Sequence, residues 1–152
     1  MNRKRLDNAF VVIVTALAIV ACDSDANDLS GSVSEFYPLG FETVRARLYG
    51  SELAIEYVRV DGETVARVTV RRAELDPTGP GVIDLADFGD LTGSAGGVEL
   101  PPFYDGTLEL TAYRPVDRAP LSGSFEARIQ SGATRLSIRG TFKARLELVE
   151  VP

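Results

Sequence analysis

From residue 43 onward, apolar and polar side chains alternate with a period of two. Residues 43–49 place Val44, Ala46 and Leu48 on one face, with Thr43, Arg45, Arg47 and Tyr49 opposite. Gly50-Ser51 then offers a two-residue turn, and residues 52–60 return Leu53, Ile55 and Tyr57. Asp61-Gly62 leads into residues 63–72, with Ala66, Val68 and Val70. Such alternation predicts half-buried strands, and Asp-Gly is a strong hairpin signal because it tolerates the positive φ angles of tight turns. The spacing can be checked against itself. Two-residue turns set Leu48, Ala46 and Val44 opposite Leu53, Ile55 and Tyr57, which in turn oppose Val70, Val68 and Ala66. Every apolar residue lands on one face, whereas a slip of one residue would move the whole set into solvent. The other face carries Arg45, Glu56 and Arg67 in a row and Glu52 opposite Arg71, opposite charges that favour the same register.

The last third repeats the pattern. Residues 107–113 bring Leu108, Leu110 and Ala112 to one face, and residues 121–129 bring Leu121, Gly123, Phe125, Ala127 and Ile129. A turn at Ser131-Gly132 precedes residues 135–148, which alternate through Leu136, Ile138, Gly140, Phe142, Ala144, Leu146 and Leu148. Pairing across that turn places Phe125 opposite Ile138 and Gly123 opposite Gly140. The segment Leu121-Ser-Gly-Ser-Phe-Glu-Ala-Arg-Ile also recurs as Ile138-Arg-Gly-Thr-Phe-Lys-Ala-Arg-Leu. Glycine on the core face two residues before a Phe predicts close strand approach, a bulge, or a ring lying over the missing side chain. This Gly-Ser/Thr-Phe-x-Ala pattern, from Gly106 onward, resembles the C-terminal β segments of uncharacterised envelope lipoproteins of bacteria. The resemblance implies a β-sandwich or barrel in the envelope and no activity.

Between the two halves, residues 76–105 read as an irregular, mobile connection with a strand at 82–86. Pro77, Gly79, Pro80, Gly81, Gly93, Gly96, Gly97, Pro101 and Pro102 break any longer element. The fold class is therefore all-β: an antiparallel β-sandwich or small open barrel of about seven to eight strands over residues 35–152. Residues 22–34, with DSDANDLSGSVS from Asp23 to Ser34, read as a flexible tether too polar to offset its ordering entropy.

The first 21 residues follow another pattern. Asn2-Arg3-Lys4-Arg5 is a positive cluster, and residues 9–21 run AFVVIVTALAIVA without a charge. As a helix this run spans roughly 20 Å against about 30 Å of hydrocarbon, short for a membrane span and normal for the apolar core of a signal peptide. It ends in Ile19-Val20-Ala21-Cys22, with the only cysteine in the chain. That tetrapeptide resembles the lipobox of bacterial lipoproteins. The resemblance implies that residues 1–21 are removed and that the Cys22 thiol carries a diacylglyceryl lipid. It also implies a domain held in the cell envelope, with the choice of membrane and leaflet open. A thioether at Cys22 leaves no thiol for a disulfide, so packing alone must stabilise the domain.

Charge and composition narrow the chemistry further. The chain carries −6; Arg3, Lys4 and Arg5 against Asp7 give the leader +2, so the processed chain carries −8. An acidic module repels nucleic acid, which is not an expected partner. The chain has no histidine, which removes His-based acid–base and nucleophilic machinery and nearly all zinc and copper sites. Phosphate loops and dinucleotide fingerprints are absent. No catalytic residue and no cofactor beyond the lipid on Cys22 is expected.

Three sets of side chains remain as candidates. Asp84, Asp87 and Asp90 recur every third residue, a weak calcium candidate without EF-hand spacing. Phe103 and Tyr104 in the central connection, like Phe36, Tyr37 and Phe41 before the first strand, either cap the fold or contact a partner. Arg128, Arg135, Arg139, Lys143 and Arg145 fall on the outward face of the last hairpin, with Arg128 and Arg135 directly opposed. The expected role is non-enzymatic: a membrane-anchored envelope lipoprotein acting in protein interaction or envelope assembly. The alternative is a glycan, lipid or small-molecule binder.

Overall fold

The structure, a computed structural model, describes residues 27–150. Its strands are β1 (Asp28–Ser30), β2 (Thr43–Leu48), β3 (Glu52–Val58), β4 (Thr64–Arg71), β5 (Gly81–Asp84), β6 (Gly89–Thr92), β7 (Ser94–Ala95), β8 (Val98–Glu99), β9 (Phe103–Ala112), β10 (Pro120–Ser131) and β11 (Thr134–Leu148). One turn of helix, α1 (Leu85–Phe88), separates β5 from β6. The β2–β3–β4 meander pairs in the register that the alternation predicts. Val44, Ala46 and Leu48 oppose Tyr57, Ile55 and Leu53, and these oppose Ala66, Val68 and Val70.

A single sheet runs in the order β5-β9-β10-β11-β2-β3-β4-β6, with β1 added to β11; β7 and β8 form a separate small hairpin. The two ends of this order, β5 and β6, are consecutive along the chain. One turn of α1 bridges them, so the sheet curls into a nearly closed barrel rather than two separate layers. Asp84 makes that corner: its Oδ1 accepts from the amides of Ala86 at 2.8 Å and Asp87 at 3.4 Å, an N-cap that starts the helix. Arg71 then clamps it, donating to the Asp87 carbonyl at 2.7 Å and lying 5.1 Å from the Phe88 ring centre. Among the described residues no helix is long and apolar enough to cross a membrane.

Four expectations are corrected. Residues 28–34 belong to the domain rather than to a tether: β1 pairs with β11 at Asp28↔Thr141, Leu29↔Gly140 and Ser30↔Arg139. Leu29 and Val33 are buried, and two apolar anchors in a polar stretch suffice because β11 supplies a ready edge. The central connection is structured too, with Ile83, Leu85, Leu91, Ala95 and Leu100 all buried. Not every neighbour is antiparallel: β11 is long enough to seat β1 at 139–141 and then β2, in parallel, at Leu146↔Ala46 to Leu148↔Leu48. Finally, β10 and β11 turn at Gly132-Ala133 rather than Ser131-Gly132, with Gly132 at φ 59°.

That last shift decides how the repeat packs. Phe125 faces Gly140, and Gly123 faces Phe142. Because the strands run antiparallel, two copies of Gly-x-Phe automatically exchange rings for missing side chains. A Cβ built on Gly140 would lie 2.6 Å from the Phe125 ring, and one on Gly123 would lie 2.8 Å from the Phe142 ring. The β9–β10 register also breaks between Ser122 and Gly123, so ring overlap and bulge coexist.

The barrel interior is filled. Ile55, Tyr57, Leu108, Leu121, Ile129 and Ile138 are completely buried, and Phe41, Tyr57 and Phe125 stack edge-on with centres 5.0 and 5.9 Å apart. Two tyrosine hydroxyls are buried with it. Tyr57 donates to the Thr141 carbonyl at 2.8 Å, and Tyr37 donates to the Val65 carbonyl at 2.6 Å. Both phenols are pushed well above the ordinary tyrosine range, first by burial and then by nearby carboxylates. On the outside of β2–β4 the predicted register holds, with Glu56 opposite Arg45 and Arg67 and Glu52 opposite Arg71. Glu56 pairs with Arg67 directly, but the other ion pairs form on the diagonals, with Arg47 in place of Arg45 at Glu56 and Arg67 in place of Arg71 at Glu52. Arg47 bridges Glu147 at 3.3 Å and Glu56 at 3.5 Å, while Arg67 bridges Glu56 at 3.7 Å and Glu52 at 2.9 Å. Glu56 is the buried charge that these arginines neutralise.

Candidate functional site

The outward side chains of β9, β10 and β11, with the start of β1, form a polar face. Alternation puts Leu108, Leu110, Phe125, Ala127, Ile138 and Phe142 inside, so Thr107, Glu109, Ser124, Glu126, Arg139 and Thr141 must point out. With Asp28 these line an open groove of about 430 Å³. A smaller hollow of about 140 Å³, lined by Asp105, Thr107, Glu126 and Arg128, continues it along the same face.

The candidates distribute as follows. Arg128 and Arg139 both reach this face, joined through Glu126, which opposes Arg139 in the β10–β11 register. Arg128 pairs with the Asp105 carboxylate at 3.3 Å, and Arg139 Nε donates to Ser30 Oγ at 3.3 Å. The expected clash of Arg128 with Arg135 is absent. The two-residue shift of the hairpin sets Arg128 opposite Ser137 and Arg135 opposite Gln130, so Arg135 stands beyond the groove near the turn. Tyr104 is the extra residue of a β-bulge, lying between the Arg128↔Asp105 and Ile129↔Phe103 pairs, and is 46 % exposed. Its neighbour Phe103 turns inward against the core. The bulge therefore separates the two aromatics: Phe103 caps the barrel and Tyr104 is offered to solvent beside the Asp105–Arg128 pair.

The acidic candidates do not converge. Asp84 is spent on the α1 N-cap, Asp90 Oδ1 accepts from the Leu91 amide at 2.8 Å, and Asp87 is exposed on the helix. Among the described residues no group of three acidic, His or Cys side chains is placed to hold a metal ion. Of the three early aromatics, Tyr37 is core, Phe41 packs on it, and Phe36 is 44 % exposed. Cys22 lies outside the described residues.

Sequence reasoning missed Asp28, Thr107, Glu109, Ser124 and Glu126 as groove residues. Their only signal was being the polar half of an alternating strand, a property shared with every solvated sheet face. What the groove offers chemically is hydrogen bonding: hydroxyls, carboxylates and one guanidinium on a rigid strand framework, edged by an exposed phenol. Such a surface can hydrogen-bond and ion-pair with polar groups set against it. Comparisons with protein-family models, with curated proteins and with solved structures each find no match to this chain.

Proposed function

We propose that the chain is an exported, lipid-anchored protein of a bacterial cell envelope whose barrel works by binding another envelope protein, without catalysis. The observation that carries the anchoring is the order of residues 2–22: a basic cluster, a 13-residue uncharged apolar run, and Ile19-Val20-Ala21-Cys22. Support for a protein partner comes from the filled interior. With Ile55, Tyr57, Leu121 and Ile138 wholly buried against one another, the barrel's binding capacity lies on its outer face. The groove of about 430 Å³, with its hydroxyls and carboxylates, keeps a glycan as the second reading.

Cross-linking of the full chain at native expression in its own host, with Cys22 intact, separates the two. The expected result is one protein recovered near stoichiometrically, and lost when Tyr104→Ala and Arg128→Glu are combined. Both side chains are exposed, and the Arg128–Asp105 pair contributes under about 1 kcal/mol to stability, so these changes leave the fold in place. Recovery of glycan or lipid with no protein would overturn the leading reading in favour of the second.

A further inference from the structure

The point at which the chain enters the barrel fixes which end a lipid at Cys22 can hold against a membrane. Asn27 is the first described residue, and its Oδ1 accepts from the Lys143 amide at 2.6 Å. β1 runs antiparallel to β11, so its N-terminal end is the one nearer residues 144–148. Five residue steps separate Cys22 from Asn27, and a fully extended chain covers at most about 18 Å in five steps. Leu146 lies three residues past Lys143, roughly 10 Å along the strand, within that reach. The Gly132-Ala133 turn lies ten residues in the other direction, roughly 33 Å away and beyond it.

What stands at the near end is the loop 113–119. It is tied to β11 there by Arg118 N donating to the Leu146 carbonyl at 2.7 Å, Leu146 N donating to the Ala119 carbonyl at 2.9 Å, and Arg145 Nη1 donating to the Arg118 carbonyl at 3.1 Å. Its tip reads Arg114-Pro115-Val116-Asp117-Arg118, with Val116 58 % exposed and the Arg118 side chain 89 % exposed. Asp117 accepts from the Leu148 amide at 3.2 Å and lies 3.8 Å from Arg118 Nε, a loose pair that leaves the guanidinium in solvent. An exposed apolar residue flanked by Arg114 and Arg118 matches the boundary of a bilayer, where aliphatic groups enter the acyl edge and guanidinium groups meet phosphates. Val60 is more exposed, at 82 %, but sits on the β3–β4 turn at the opposite end, since β2 runs parallel to the end of β11 and β3 runs back.

Resting on lipidation of Cys22, we infer that the barrel docks end-on to a phospholipid surface through the 113–119 loop, with Val116 at the headgroup boundary and Arg114 and Arg118 on lipid phosphates. The groove face then stands upright, with its β1 end nearest the bilayer, open to a partner in the same membrane.

The test uses the full chain, produced with its leader and reconstituted into vesicles of phosphatidylcholine and phosphatidylglycerol. Single cysteines replace Val116, Val60 or Ala133 and carry an environment-sensitive fluorophore; lipid-borne doxyl groups act as quenchers. With Cys22 blocked by its lipid, each variant has one reactive thiol. The expected result is a blue-shifted Val116→Cys label, quenched several-fold more than the labels at Val60→Cys and Ala133→Cys. Equal quenching at all three sites, stronger quenching at Val60 or Ala133, or none at any site in protein that floats with the vesicles overturns the docking geometry alone. Protein that carries no lipid and does not float overturns the anchoring reading, and this one with it.

Discussion

Replacing Gly140 with alanine is expected to lower the unfolding free energy by about 2–4 kcal/mol, read as a shifted urea midpoint at unchanged slope. The added Cβ would lie 2.6 Å from both the Phe125 ring and the Tyr57 hydroxyl, and both are ends of side chains. Gly123→Ala is expected to cost at least as much for a different reason: there the Cβ would lie 2.0 Å from the Glu109 carbonyl oxygen. Backbone cannot step aside without moving β9. The pair therefore predicts a contrast in coupling. Phe125→Leu relieves part of the Gly140→Ala penalty, by about 1 kcal/mol in a double-mutant cycle, because the smaller side chain vacates the contested space. Phe142→Leu leaves the Gly123→Ala penalty standing, because the obstacle is a carbonyl. Equal relief in both cycles would contradict the register that sets Phe125 on Gly140 and Phe142 on Gly123.

The second large effect is an alkaline limit to stability. In the folded state the Tyr37 and Tyr57 phenols are held protonated by burial, well above the ordinary value of 10.0; in the unfolded chain they ionise near it. Above pH 10 the native state therefore binds more protons than the unfolded state, and stability falls as pH rises. Each such tyrosine approaches a slope of about 1.4 kcal/mol per pH unit once its unfolded phenol is fully ionised, so the two together remove about 2 kcal/mol between pH 10 and 11. Tyr113, also raised by burial, adds to the fall. Below pH 10 the stabilisation is fully present. The chain has no histidine, so stability is expected to be nearly flat from pH 6 to 9. Urea titrations across this range measure it. Tyr57→Phe should remove about one proton's worth of the alkaline slope, while forfeiting the bond to Thr141 at every pH. A stability that held constant to pH 11.5 would contradict the burial of these two hydroxyls.

The elements that were legible from sequence are those whose alternation and turns agree. β2, β3 and β4 alternate strictly over 44–48, 53–57 and 66–70, and a one-residue slip would expose their core, so their register was forced there. At the β3–β4 turn it shifts between Tyr57 and Val58, with Val65 the extra residue, so the turn is longer than the two residues Asp61-Gly62. The β10–β11 hairpin shows the limit of that reasoning. A two-residue shift keeps every side chain on its own face, so alternation cannot distinguish Phe125 opposite Ile138 from Phe125 opposite Gly140. Shape decides it: rings fill glycine gaps, and Gly132 supplies the positive φ of the turn. β1 escaped because a three-residue strand with one leucine has no period; it exists through the edge that β11 offers. β6 escaped because its four residues derive their pairing from β4, around Gly89 and Leu91.

The candidate surface was legible in part. Arg128, Arg139 and Tyr104 do reach one face, whereas Phe103 was lost to the core through a bulge that no local signal marks. Asp84, Asp87 and Asp90 show the opposite error. Three-residue spacing looked like a ligand set, yet it reflects a helix cap at Asp84 followed by a strand start at Asp90. Groove residues such as Asp28, Glu109 and Glu126 come from three strands and are gathered only by the curl of the sheet.

Whether this barrel is carried on a lipid at Cys22 is read most directly from the intact mass of the chain recovered from host membranes. The expected species is a polypeptide beginning at Cys22 and heavier by a diacylglyceryl group, with Cys22→Ala shifting the protein out of the membrane fraction. A chain that keeps residues 1–21, or one that begins at Cys22 with an unmodified thiol, would contradict it.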